Sequence, residues 1–136
     1  TGGKLSGMRF LMLGASYRSD VADTRYSPPE YLYRFLRREG AEVVVHDPYV
    51  RFWEELALPV EEDLDGLLPD GGDPKAAFDA VVISTAHGMY RDHAGLYRHI
   101  ASKPLMFVFD LVGIIPDQTI HRTENRRIRV LGRGDI

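Results

Sequence analysis

The residues best suited to chemistry stand together in one polar stretch, Ala15-Ser16-Tyr17-Arg18-Ser19-Asp20-Val21-Ala22-Asp23-Thr24-Arg25-Tyr26. Tyr17 offers an aromatic face beside the guanidinium groups of Arg18 and Arg25. An aromatic ring can stack on a base, and an arginine fork matches phosphate oxygens two at a time. That pairing suits a nucleoside diphosphate better than a bare sugar. Arg25 has an equal alternative role, tying its stretch to Asp20 or Asp23. Three further polar segments hold candidates: His46-Asp47-Pro48, Ser84 to His87, and Asp110 to Gly113. His87 could meet a ligand or serve packing. Asp47 and Asp110 could take ribose hydroxyls or anchor loop amides, and their pairing as general acid and base has little support.

Other chemistries are poorly served. The chain has no cysteine, which excludes disulfides, thiolate metal sites and cysteine nucleophiles. His46, His87, His93, His99 and His121 form no compact ligand pair with carboxylates, so no metal site is expected. The formal charge of -3 gives no general attraction for nucleic acid or an anionic membrane. No apolar run approaches the ~18 residues of a membrane span, and no signal-peptide pattern is present, so the cytoplasm is the expected location. An acidic run between Glu54 and Asp73 without a basic residue reads as a solvated face.

Those polar segments need elements to position them, and the apolar pattern supplies these. Arg9 to Leu13, Glu42 to His46, Asp79 to Thr85 and Leu105 to Phe109 read as buried strands, with Ile128 to Leu131 as an edge strand. A helix is predicted from Pro28 to Gly40, with Ser27 and Glu30 as a capping box. Its buried face is expected to carry Pro28, Tyr31, Leu32, Phe35 and Leu36, and Gly40 should end it. Arg51 to Leu56 and Glu62 to Leu68 suggest short helices or turns, Asp70 to Pro74 a loop, and Met89 to Ala101 a helix. Trp53 is expected against the sheet edge or a partner surface. Strand and helix alternate, which predicts an α/β fold: a Rossmann-like three-layer sandwich with a mostly parallel sheet flanked by helices. In such a sheet ligands sit beyond the carboxyl ends of the strands, where the polar segments fall.

The dinucleotide fingerprint is missing. Gly-x-Gly-x-x-Gly should follow the first strand, yet only Gly14 is present, and no acidic residue stands ~20 positions on. The connection from Gly14 to Ser27 is also too long to bring a pyrophosphate against a helix start.

Leu13-Gly14-Ala15-Ser16-Tyr17-Arg18-Ser19-Asp20, followed by Asp23-Thr24-Arg25-Tyr26-Ser27-Pro28, resembles L-G-x-[AS]-[YF]-K-x-D-x-x-D-x-R-x-S-P. That motif opens the C-terminal domain of the UDP-glucose/GDP-mannose dehydrogenases. Gly40 to Val43, His46 to Tyr49, Asp79 to Val82, Thr85 to His87 and Leu131 to Gly134 match further family motifs in order. The resemblance implies a domain that holds UDP or the UDP part of a UDP-sugar. Its partners would be the upstream NAD-binding and central domains of an enzyme oxidising a sugar C6 alcohol to a carboxylate. It implies NAD and the catalytic cysteine in those domains, no cofactor here, and no catalysis in isolation. Residues 1–7 would be a linker remnant and 8–136 a single nucleotide-binding domain; the start at Thr1, without methionine, suggests a fragment or processed product. Carried over, the substrate-binding residues are Tyr17, Arg18, Arg25 and His87.

The sequence departs from the family pattern twice. Arg18 replaces a lysine, and Asp110-Leu111-Val112-Gly113 lacks the arginine of the usual Asp-x-Arg. The second departure motivates an alternative, a Rossmann-like scaffold or assembly domain that no longer binds. An autonomous enzyme is opposed by the missing nucleophile and the missing glycine fingerprint.

Overall fold

The computed structural model describes residues 3–68, 78–103, 105–116 and 127–130. Its centre is a five-stranded parallel sheet built from β1 (Arg9–Leu13), β2 (Glu42–His46), β5 (Ala80–Ile83), β6 (Phe107–Asp110) and β7 (Ile128–Val130). The strand order is β2-β1-β5-β6-β7, and every pairing in this sheet is parallel. Renumbered along the sheet alone, the order is 2-1-3-4-5: a doubly wound sheet whose order reverses between β1 and β5. The α/β class and the parallel sheet flanked by helices are as the sequence predicts.

Alternating side chains divide the core in two. Phe10, Met12, Val43, Val45, Ala80 and Val82 face α1 (Pro28–Arg38) through Leu36. On the other face Leu11, Leu13, Val81, Ile83 and Val108 meet α2 (Leu64–Leu67), α3 (Gly88–Arg91) and α4 (Ala94–Ser102). Right-handed crossovers require this division, because the chain moves one way along the sheet after β1 and the other way after β2. Among the described residues no helix is long and apolar enough to cross a membrane.

Several expectations shift in detail. Helix α1 buries Pro29 and Leu36, with Leu32 and Tyr33 half-buried between them. The expected face is therefore turned by one position, and Tyr31 (68% exposed) and Phe35 (46%) are solvent-facing rather than core. The spacing is helical either way; the Pro28-Pro29 pair left the phase open. No capping box forms, because the Ser27 hydroxyl donates to the Ala15 carbonyl at 2.7 Å instead. The helix end is as predicted: Gly40, with φ +94, lets its own amide reach the Arg37 carbonyl and the Ala41 amide reach Leu36, a Schellman closure.

Arg51 to Leu56 is not simply a turn. Phe52–Trp53 (β3) and Leu58–Pro59 (β4) form a small antiparallel hairpin around a 3-10 turn at Glu54–Leu56. Trp53 is wholly buried within the α1-side core, 6.1 Å from Tyr33 by ring centres. Met89 to Ala101 divides into α3 and α4 at Asp92-His93, where the His93 ring accepts the Leu96 amide and starts the second helix. The expected strands over 79–85 and 105–109 are observed as Ala80–Ile83 and Phe107–Asp110. The Asp70 to Pro74 loop, His121 and the Leu131 to Gly134 motif lie outside the described residues.

Candidate functional site

At the reversal between β1 and β5, three chain segments leave the carboxyl edge side by side. The first turns away at Gly14, whose φ of +114 is open to glycine, and a Cβ there would overlap the Thr85 side chain. The segments are then cross-tied. Ser84 donates its hydroxyl to the Gly14 carbonyl (2.8 Å), Thr85 to the Ser16 carbonyl (2.8 Å), and the Gly14 amide donates to the His46 carbonyl (2.8 Å). Backbone that would otherwise be loose is thus fixed by short side chains from the neighbouring strand ends.

Asp47, wholly buried just beyond β2, is the hub. Its Oδ2 accepts from the Ala15 amide (2.9 Å) and from His87 Nε2 (2.9 Å); its Oδ1 accepts from the amides of Tyr49 (2.8 Å) and Val50 (3.2 Å). Burial pushes this carboxyl upward, but the bonds from His87, Ala15 and Tyr49 outweigh it and hold Asp47 below the usual carboxylate range. Of its two expected roles, the structure shows amide anchoring. Asp110 does the same more locally, accepting the amides of Val112, Gly113 and Ile115.

The first loop bends back on itself where the Tyr17 amide donates to the Asp23 carbonyl (3.0 Å). Its outer surface is an open groove of about 690 Å³ lined by Tyr17, Arg18, Val21, Asp23, Arg25 and Tyr26. Tyr17 is 59% exposed, so its ring is free to receive a planar group. Arg25 is engaged with Asp23, Nε to Oδ1 and Nη2 to Oδ2 both at 3.0 Å, one of the two partners expected for it. The Arg25 hydrogen bonds hold the Asp23 carboxyl down at about 2. Three of the four sequence candidates therefore meet in one groove. The fourth, His87, is wholly buried behind the loop and is not among the lining residues.

Sequence reasoning missed Ser16, Asp20 and Tyr49 as parts of this site. Asp20 has φ +62, its amide donates to His87 Nδ1 (2.8 Å), and its Oδ1 accepts from the Gly88 amide (2.8 Å). The Tyr49 hydroxyl reaches the same Oδ1 at 3.5 Å. A cue was present, since Asp and Asn are the residues that tolerate a left-handed backbone in loops.

A dinucleotide does not fit the turn after β1. The turn has a single glycine, its space is taken by Thr85, and α1 begins only at Pro28. No step through NAD is assigned to these residues.

Comparison with known proteins identifies the family and gives the same fold. Residues 11–117 match the UDP-glucose/GDP-mannose dehydrogenase family, UDP binding domain. The chain is 34% identical over 113 residues to UDP-glucose 6-dehydrogenase of Pongo abelii, covering 75% of this chain and 22% of that protein. It is 24% identical over 128 residues to UDP-N-acetyl-D-mannosamine dehydrogenase of Methanococcus maripaludis, covering 90% and 26%. Among solved structures, NDP-N-acetyl-D-galactosaminuronic acid dehydrogenase from Methanosarcina mazei Go1 superposes with a TM-score of 0.76 at 25% identity, over 96% of this chain and 26% of that one. UDP-D-ManNAc dehydrogenase from Pyrococcus horikoshii gives a TM-score of 0.71 at 25% identity, over 98% and 27%. The chain spans about a quarter of the length of these relatives. It belongs to the UDP-glucose/GDP-mannose dehydrogenase family, as that family's UDP-binding domain.

Proposed function

We propose that this chain holds UDP, or the UDP part of a UDP-sugar, as one wall of an active site. Upstream NAD-binding and central domains of a cytoplasmic nucleotide-sugar 6-dehydrogenase complete that site and oxidise the sugar to a uronic acid. The observation that carries the reading is the placement of Tyr17 and Arg18 on the open side of a loop whose backbone is fixed at the sheet's reversal point. Tyr17 packs against the base or ribose, and Arg18 pairs with the diphosphate. Arg25 assists by ordering the loop through Asp23, and His87 acts from behind it.

Calorimetric titration with UDP, with GDP as comparison, tests this. Saturable UDP binding is expected, weakened in Arg18→Ala by about 1.5–3 kcal/mol, the range of a hydrogen bond to a charged group. Binding of neither nucleotide at millimolar concentration would favour a second reading, a scaffold or assembly domain. The exit from β6 motivates that reading, because no arginine follows Asp110 and its carboxylate is committed to its own loop's amides.

A further inference from the structure

The buried His87 ring bonds Ser16 and Asp20, the residues two positions before and after Arg18, without lining the groove. On one side its Nδ1 accepts the Asp20 amide at 2.8 Å, so Nδ1 carries no proton and the proton sits on Nε2. On the other side Nε2 lies 2.9 Å from Asp47 Oδ2 and 3.1 Å from Ser16 Oγ. The Ser16 hydroxyl in turn donates to the Arg18 carbonyl at 3.3 Å. The ring is wholly buried, and Tyr49 and Tyr90 pack against it with ring centres at 5.0 and 5.6 Å. Asp47 is itself fixed by three backbone amides, so it presents a stationary acceptor that selects the Nε2–H tautomer.

Resting on the nucleotide-binding reading above, we propose that His87 is a positioning residue for diphosphate recognition: its Nδ1 pins Asp20 in a left-handed conformation and thereby aims Arg18 into the groove. The left-handed backbone at Asp20 (φ +62) costs energy for a residue with a side chain, and persists because it is held from outside. The holding is reciprocal: Asp20 gives its amide to His87 and takes the next residue's amide, from Gly88, on its carboxylate. Ser16 and Asp20 flank the dipeptide Tyr17-Arg18 closely, so fixing both leaves Arg18 few backbone alternatives. A side chain needs such support to deliver a directional phosphate contact.

Two near-isosteric replacements separate the two ends of the ring. His87→Asn can place Oδ1 where Nδ1 stands, keeping the acceptor for Asp20 but losing the reach to Asp47. His87→Gln can place Nε2–H near the ring's Nε2, keeping Asp47 but losing the acceptor for Asp20. Wild type and both variants of the full chain would be titrated with UDP, with amide exchange at Asp20 and thermal unfolding read in parallel. Expected is a UDP affinity within about threefold of wild type for His87→Asn, and a loss of about tenfold or more for His87→Gln, the equivalent of ~1.4 kcal/mol. The Asp20 amide should lose protection in His87→Gln alone, and restoration by Asn is not expected of a residue that serves packing only. UDP affinities unchanged in both variants, or lowered equally in step with unfolding temperature, would overturn the positioning role while leaving the nucleotide reading intact. A wild-type chain that binds no UDP would overturn both, even where Asp20 protection follows the variants.

Discussion

Two buried carboxylates stand at strand ends of the same sheet, and they do different work. Asp110 accepts amides from Val112, Gly113 and Ile115, all within its own exit loop. Asp47 accepts from Ala15 after β1, from Tyr49 and Val50 after β2, and from His87 after β5. Asp110 therefore shapes one loop, whereas Asp47 fastens three that are distant in sequence. The groove described above lies over the cross-tied exits: among the described residues, those of β1, β2 and β5 share one carboxylate, and the loop after β1 draws its support from them.

The largest expected consequence is at Asp47. Asp47→Ala strands several buried donors, including a ring N–H, and should cost about 3–5 kcal/mol in urea denaturation, the range for breaking a buried charge-assisted pair. Asp110→Ala should cost less, about 1–3 kcal/mol, since two of its three amides, those of Val112 and Gly113, are only part-buried. Equal losses would break the comparison. The glycines of the same two loops sharpen it. A Cβ on Gly14 would overlap the Thr85 side chain and approach its backbone nitrogen to 2.7 Å, whereas none of the described residues lies within 4 Å of one on Gly113. Gly14→Ala should therefore cost roughly 3 kcal/mol or more. Gly113→Ala, at φ +71, should cost about 1–2 kcal/mol from backbone conformation alone. Thermal or urea unfolding of the pair reads the contrast directly.

The smallest effect is in pH. Burial lowers the pKa of His46, which lies next to Asp47 with Nε2 donating to the Glu62 carbonyl at 3.1 Å. The unfolded chain then takes up the proton first, so stability should fall as pH drops below the ordinary histidine value of 6.5. Asp47, depressed below 3.8, contributes stability that is present above that value and lost as pH falls through its folded-state pKa. Unfolding free energy should decline in two steps on acidification. The upper step should vanish in His46→Gln, and its survival there would assign it to another group.

The sheet was legible because β-branched and apolar runs such as Val43-Val44-Val45 and Val81-Val82-Ile83 leave little alternative to buried strands. The end of α1 was legible because Gly40 supplies a backbone conformation few residues accept. Less could be read where two local solutions were nearly equal. Ser27 has a capping partner in Glu30, yet the Ala15 carbonyl offers it a buried bond that only the folded chain presents. The groove residues Tyr17, Arg18 and Arg25 were visible as residue types beside one another. Asp47 and His87 were visible singly, as a possible amide anchor and a candidate ligand contact, but their joint support of the loop was not, because Ser16, Asp47 and His87 meet only once three strands are in register.

Trp53 is the only tryptophan in the chain, wholly buried, and its Nε1 has no hydrogen-bond partner among the described residues. The protein thus carries one indole reporter in a buried setting, and its emission should be short in wavelength and shift to the red when the core opens. The 3-10 turn that follows it is tied to the loop after β1, since the Thr24 hydroxyl donates to Glu55 at 2.6 Å. A ligand that draws on the loop would pull on the indole's surroundings through that link, giving a label-free signal from a residue outside the groove.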